Sequence, residues 1–162
     1  MDSKRIARYA LLVALAMVLS WLESLIPLSV AIPGVKLGLT NLVVLFALYR
    51  MRTADAITIS LVRVVLVSIT FGNAYAFAYS FAGAVLSFLI MWTMKKSEKF
   101  SSVGVSVAGG VGHNLGQIIV AALVLENSGI FLYLPALMLS GTAAGVCIGV
   151  VGGIIVQRLK KI

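Results

Sequence analysis

The stretch that decides the fold is residues 130–157, IFLYLPALMLSGTAAGVCIGVVGGIIVQ, which contain no charged side chain. A helix needs about 20 consecutive apolar residues to cross a hydrocarbon core of about 30 Å, and this run is long enough. Cations follow it directly at Arg158, Lys160 and Lys161, as expected where a helix leaves a membrane. The run therefore predicts a transmembrane helix.

The rest of the chain has the same apolar character. Of the 162 residues, 61% are hydrophobic and only 11% are charged, whereas soluble domains contain about 25% charged residues. Turn-forming and charged residues divide the sequence into six apolar segments. The predicted helices are residues 6–26, 36–49, 54–71, 74–94, 103–125 and 130–157. We therefore expect one all-α integral membrane domain over residues 1–162 with six transmembrane helices.

The second helix is the shortest of the six, and the cations decide whether it crosses. At 1.5 Å per residue it reaches only about 21 Å. It can be a short spanning helix capped by residues 28–35 folded into the outer leaflet, or a re-entrant helix that leaves five spans and places the termini on opposite sides. With six spans, eleven of the thirteen cations lie on one side, namely Lys4, Arg5, Arg8, Arg50, Arg52, Lys95, Lys96, Lys99, Arg158, Lys160 and Lys161. Five spans would scatter them over both faces. The positive-inside rule thus favours six spans with both termini cytoplasmic, in a multi-pass protein of a prokaryotic cell membrane.

Several classes of function are excluded by what the sequence lacks. The net charge of +8 follows from the orientation signal, and no contiguous basic face with the groove-reading or stacking elements that nucleic-acid binding needs is evident. There is no phosphate-binding Gly-rich loop ending in Lys-Ser/Thr, and the single Cys147 excludes a disulfide or Cys-based metal site. Asp2 and Asp55 are the only aspartates, so Asp-rich magnesium-diphosphate motifs cannot form. We predict a non-enzyme without metal or cofactor, in which Asp55 and Glu126, at helix ends, are solvated.

A cluster of polar residues at membrane depth indicates a binding site, because such groups are costly in lipid and usually face an interior or cavity. The predicted binding residues are Glu23, Lys36, Asn41, Arg63, Asn73, His113, Asn114 and Gln117, with Tyr75 and Tyr79 as an aromatic wall. Most of them fall in the outer half of the six-helix arrangement. Three potential cations against one carboxylate favour an anionic ligand that enters from outside.

Each of these residues also has a structural interpretation. Arg63 can be the ion-pair partner of Glu23, and Lys36 can extend its amine to the lipid headgroups. His113 can be a hydrogen-bonded core histidine. Asn114 and Gln117 can join helices, and the tyrosines can be interfacial anchors. It is their clustering that favours the binding site.

Small residues recur at every fourth position in the last two helices. One ladder is Gly104, Ala108, Gly112 and Gly116, and the other is Gly141, Gly145, Gly149 and Gly153. Such ladders allow close approach of helix backbones. We expect the two helices to pack on each other or on neighbours in the bundle; dimerisation would also fit.

Three segments carry a family resemblance: residues 33–41, PGVKLGLTN; Arg63 through Phe71-Gly72 to residues 80–83, SFAG; and residues 112–117, GHNLGQ. Over nearly the whole chain they resemble the Gx transporter family, which is labelled heptaprenyl diphosphate synthase component I. That family is similar to the substrate-binding S-components of energy-coupling factor (ECF) transporters, which are six-helix bundles.

The resemblance implies a function and partners. It implies capture of a small vitamin-like molecule or cofactor or isoprenoid precursor from outside, for uptake driven by a scaffold subunit and two ATPases. Ala10 and Ala14 would meet the scaffold, and residues 27–35 would gate the pocket. The synthase label instead favours an alternative, a non-catalytic membrane subunit for isoprenoid or quinone metabolism. Aspartate pairs for prenyl diphosphate synthesis are missing, whereas a polyprenyl or quinone-like ligand stays open.

Overall fold

The computed structural model describes residues 3–26 and 38–159, and these ranges are helical almost throughout. The helices are α1 (Ser3–Ser24), α2 (Leu39–Arg50), α3 (Thr53–Phe71), α4 (Ala74–Lys96), α5 (Ser102–Val124) and α6 (Leu134–Arg158), with a 3-10 helix at Ser128–Tyr133. The all-helical prediction is confirmed. The predicted start of the second helix at Lys36 and the predicted gate at 27–35 lie outside the described residues.

Five of these helices are long and apolar enough to cross a membrane: α1, α3, α4, α5 and the segment that ends in α6. They make the chain a multi-pass membrane protein. The shorter α2 has 12 residues and covers about 18 Å. All six predicted segments are therefore helices, but α2 falls short of the length of a span.

The short helix α2 forms the centre of the bundle. Its residues Val43, Val44, Leu45, Ala47 and Leu48 are all buried, and it packs against α1, α3 and α6. A helix that is apolar on every side is stable only where neighbours surround it. The ambiguity of this segment in the sequence thus has a structural reason, because it is a core helix whose polar N-terminal residues point into the bundle's interior.

The last helix begins four residues later than predicted. Asn127 accepts a hydrogen bond from the Gly129 amide at 2.8 Å, and a 3-10 turn follows. Pro135 lies in the first turn of α6, where its missing N–H leaves no hydrogen bond unmade. The proline therefore marks the point at which regular α-helix can begin.

The glycine ladder of α6 packs on α5, as predicted. A Cβ on Gly145 would lie 2.5 Å from the Val107 Cα, and one on Gly149 would lie 2.6 Å from the Val103 Cα. The predicted α5 ladder faces a different helix. A Cβ on Gly116 would meet the Ala82 carbonyl of α4 at 2.7 Å, whereas the α5 glycine that contacts α6 is Gly110, which is not a member of the ladder. Because α5 lies between α4 and α6, it needs small residues on two faces.

One end of the bundle gathers the cations, and we call it the basic end. Arg5 pairs with Asp55, Arg50 donates to the Leu159 carbonyl at 2.5 Å, and Lys95 donates to the Leu48 carbonyl at 2.5 Å. The prediction that Asp55 is solvated is wrong: its side chain is buried, because the ion pair to α1 draws it between helices. The N-terminus of α1, the C-terminus of α2 and the C-terminus of α6 thus meet at the same end.

Candidate binding cavity

A cavity of about 320 Å³ opens at the opposite end, which we call the cavity end. All six helices contribute to its wall. Polar lining residues are Ser20, Glu23, Ser24, Thr40, Asn41, Arg63, Ser68, Ser80, Ser106, His113 and Asn114. Apolar lining residues include Val64, Val67, Phe71 and Ile148. Among the described residues the lining is mostly neutral and rich in hydroxyl groups, with one guanidinium, Arg63, and one carboxylate, Glu23.

Arg63 lies near the middle of α3 and faces the cavity. The spacing of Arg63, Val67 and Phe71 places them on one side of the helix, and all three line the cavity. Arg63 is only 7% exposed. One terminal nitrogen, Nη1, donates to the Thr40 hydroxyl, whereas the buried Nε has no hydrogen-bond partner among the described residues. Burying a guanidinium N–H without a hydrogen-bond acceptor costs free energy, which an acceptor from a ligand would offset.

Glu23 attracts Arg63 without pairing with it. The carboxylate is close enough to stabilise the positive charge electrostatically, but the two side chains form no ion pair. Instead, Glu23 Oε1 accepts a hydrogen bond from the Gly38 amide at 2.5 Å. In the described conformation the interpretation of Arg63 as a structural partner of Glu23 therefore rests on electrostatic attraction and not on an ion pair.

The turn into α2 positions two polar residues of the wall. Gly38 has a left-handed backbone, with φ at +68°, which glycine adopts without the cost that a Cβ would add. Its carbonyl accepts from the Asn41 amide at 2.8 Å, which begins the helix. Thr40 is thereby buried beside Arg63, and Asn41 lines the cavity.

The α5 wall carries His113 and Asn114. Asn114 is buried, and its Nδ2 donates to the Leu137 carbonyl of α6 at 2.6 Å. This bond needs a close crossing, and a Cβ on Gly141 would lie only 2.8 Å from that nitrogen. Asn114 thus joins two helices, as its structural interpretation predicts, and also lines the cavity.

Five of the ten predicted binding residues line this cavity: Glu23, Asn41, Arg63, His113 and Asn114. Four do not, namely Asn73, Tyr75, Tyr79 and Gln117, and Lys36 lies outside the described residues. Asn73 caps α4 by accepting from the Ala76 amide at 2.8 Å, Tyr75 is 63% exposed, and Gln117 packs beside Gly83 of α4. The aromatic wall is absent from the described lining, where Phe71 is the one aromatic residue.

The hydroxyl groups were missed from the sequence. The lining includes Ser20 and Ser24 on α1 and Ser106 on α5. Two of them stand at helical spacing from a predicted residue: Ser20 lies three residues before Glu23, and Ser106 lies seven residues before His113. This spacing was the available signal, whereas Ser24 directly follows Glu23 and has no such signal.

The predicted partner residues lie on the outside of the bundle. Ala10 and Ala14 are both exposed on α1, which packs only through its opposite side on α2 and α3. Leu11 and Leu15 beside them are also exposed. This face of α1 is therefore available to lipid or to another helix.

The side chains described at the cavity can engage a ligand by charge and by hydrogen bonds. No group of three or more His, Cys, Asp and Glu side chains that could hold a metal occurs in the described part of the chain. Among the described lining residues one buried cation, Arg63, is surrounded by hydroxyl and amide groups, and such an arrangement can bind an anionic ligand and fix its orientation.

A family model matches most of the chain. The family model described as heptaprenyl diphosphate synthase component I matches residues 12–155. No curated protein and no solved structure matches the chain.

Proposed function

The chain belongs to the heptaprenyl diphosphate synthase component I family, and from that premise we propose that it is a membrane capture subunit for a small anion. In this proposal the cavity end faces outward and the basic end faces the cytoplasm, in accordance with the positive-inside rule. The captured molecule is vitamin-like or a cofactor or isoprenoid precursor. The chain has no catalytic role of its own.

The proposal rests on the burial of Arg63 and on its incomplete set of hydrogen bonds. Its guanidinium is buried at the cavity wall, bonded to one hydroxyl and not ion-paired within the described residues. Charges buried in this way are normally paired or hydrogen-bonded. A ligand carboxylate or phosphate would supply the missing acceptor, and the surrounding serines and asparagines would bind its neutral part.

The cavity volume separates the two candidate ligand classes. Binding pockets for small molecules enclose about 300–1,000 Å³, and about 320 Å³ lies at the lower end of that range. A compact precursor fits this volume, whereas a long polyprenyl chain would have to leave the cavity. The family description favours the second candidate, a non-catalytic subunit for polyprenyl diphosphate metabolism, and the volume favours capture of a small molecule.

Filling the cavity tests the proposal. Val67→Trp places an indole into the space, and we expect it to remove the small molecule that the wild type retains through purification in mild detergent. The matched control is Val65→Trp on the same helix, because Val65 is 39% exposed and is not part of the lining. Mass spectrometry of the extracted small molecules, quantified per chain, measures both variants.

Three results of this experiment have different meanings. A stoichiometric anion present in wild type and Val65→Trp but lost in Val67→Trp supports capture in this cavity. Equal retention in all three proteins contradicts the location of the site. A polyprenyl compound retained by all three would favour the second candidate function.

The proposed partners are an ECF-type scaffold subunit and two ATPases that meet the exposed face of α1. Small residues at Ala10 and Ala14 would allow a partner helix to approach closely. We expect Ala10→Leu with Ala14→Leu to abolish co-purification of coexpressed scaffold and ATPases while retention of the small molecule is unchanged. The control is Ala143→Leu with Cys147→Leu, two exposed small residues on α6. Loss of the partners in both double variants would contradict the assignment to α1.

A further inference from the structure

A second polar concavity lies at the basic end, about 18 residues of α1 away from Glu23, or roughly 27 Å at 1.5 Å per residue. It is an open groove of about 490 Å³ between the N-terminus of α1 and the connection from α2 to α3. We call it the basic groove. Its lining residues are Lys4, Arg5, Arg8, Arg50, Met51, Arg52 and Asp55.

We propose that the basic groove binds a phosphate-bearing anion. Among the described residues that line it, five cationic side chains face one carboxylate. That carboxylate, Asp55, is paired with Arg5 and also attracts Arg52, so positive charge remains in excess among these lining residues. Four of the five cations are arginines, whose planar guanidinium groups match phosphate oxygens with two parallel hydrogen bonds.

Two of the arginines have their donors available. Arg50 donates to the Leu159 carbonyl, and Arg5 donates to Tyr9 and Asp55. In contrast, Arg8 and Arg52 donate no side-chain hydrogen bond and form no ion pair within the described residues. They are the groups of the groove that a ligand can engage without breaking an existing contact.

The helix termini add to the attraction for an anion. The groove lies at the N-termini of α1 and α3, where the helix dipole favours negative charge. The C-terminus of α2 opposes this effect, but its last turn carries Arg50. The positive-inside rule accounts for cations at this end, but it does not require them to share one concave surface.

Two sources of the phosphate are chemically equivalent at this site. Arg8, Leu11 and Leu15 lie on one face of α1 by their spacing, and the leucines are 69% and 46% exposed. An acyl chain could therefore lie below a headgroup held in the groove, as for an anionic phospholipid. A free phosphorylated compound would use the same guanidinium groups from the aqueous side.

The test uses the full chain, delipidated in a neutral maltoside detergent, with two probes. Native mass spectrometry measures retention of phosphatidylglycerol against phosphatidylcholine, and titration calorimetry measures binding of inorganic pyrophosphate. The variant is Arg8→Gln with Arg52→Gln. The matched control is Lys96→Gln with Lys99→Gln, which removes the same charge at exposed positions outside the groove.

We expect Arg8→Gln with Arg52→Gln to weaken binding about tenfold or more, because hydrogen bonds to charged groups are lost. The control, Lys96→Gln with Lys99→Gln, should change the affinity less than about twofold. Retention of phosphatidylglycerol alone identifies the lipid as the source, and heat from pyrophosphate identifies a free phosphate compound. Equal weakening in both pairs overturns the proposal, as does no binding of either probe.

A second variant guards against misfolding. Arg8→Lys with Arg52→Lys keeps the charges and removes the guanidinium fork, so we expect an affinity between those of the wild type and the glutamine pair. The thermal midpoint of each variant in detergent shows whether the helices remain folded. If Arg8→Lys with Arg52→Lys binds as weakly as Arg8→Gln with Arg52→Gln, the planar guanidinium group is needed for recognition. If it binds as tightly as the wild type, charge alone accounts for binding, and the proposed role of the guanidinium geometry is overturned.

Discussion

Arg63→Met is expected to weaken retention of the captured anion by about 100-fold or more. Methionine has a similar length but no charge and no donors, so the variant leaves no cation buried at the cavity wall. Hydrogen bonds to charged groups contribute about 1.5–3 kcal/mol each. The loss of two of them corresponds to about 100-fold or more in affinity. The remaining hydroxyl and amide groups of the wall would still hydrogen-bond the neutral part of the ligand, but its anionic group would have no guanidinium to bind.

The measurement is the amount of co-purified small molecule per chain, by mass spectrometry. Lys99→Met is the control, because it removes an exposed cation remote from the cavity. Arg63→Lys should retain an intermediate amount, since it keeps the charge but not the planar fork. If Arg63→Met retains as much ligand as wild type, the guanidinium does not bind the anion and the proposed function loses its central observation.

Gly145→Ala is expected to destabilise the bundle by about 2 kcal/mol or more, within the range of overpacked interiors. The added Cβ would lie 2.5 Å from the Val107 Cα and 3.0 Å from the Ser106 carbonyl oxygen. Both are backbone atoms of α5, so the two helices must move apart. Ser106 lines the cavity, and we therefore also expect reduced ligand retention.

Gly104→Ala is the matched control on α5. The nearest atom to its added Cβ is 3.7 Å away, which is ordinary contact. Alanine in place of a helical glycine stabilises the helix by up to about 1 kcal/mol, so the control should be neutral or slightly stabilising. Thermal unfolding followed by circular dichroism in detergent compares the two. Equal midpoints for both variants would show that the α5–α6 crossing tolerates separation.

The helices and the membrane class were predictable from sequence. Long apolar runs such as 130–157 have one stable arrangement in lipid, because only helices satisfy their own backbone hydrogen bonds there. Arg63 and Glu23 were identified as functional candidates for the same reason, since lipid penalises charge wherever the helix is turned. The three motif segments also identified the family that the match over residues 12–155 shows.

The division of polar residues between cavity and packing was decided by tertiary structure. Asn114 and Gln117 stand one turn apart on α5, yet the first lines the cavity and the second packs beside Gly83. Their roles depend on the rotation of α5 between α4 and α6, which is set by contacts such as Gly116 on Ala82 and Gly110 on Gly141. These contacts join residues distant in sequence, so local periodicity does not determine them.

The position of α2 shows the same limit. Its sequence predicts an apolar helix, and its length of 12 residues left open whether it crosses the membrane. Only the packing of α1, α3 and α6 around it makes it the core and brings Thr40 to Arg63. The sequence by itself thus determined which segments are helical and which groups are too polar for lipid. The tertiary structure decided which of those groups meet, because each helix can turn about its axis without changing its own hydrogen bonds.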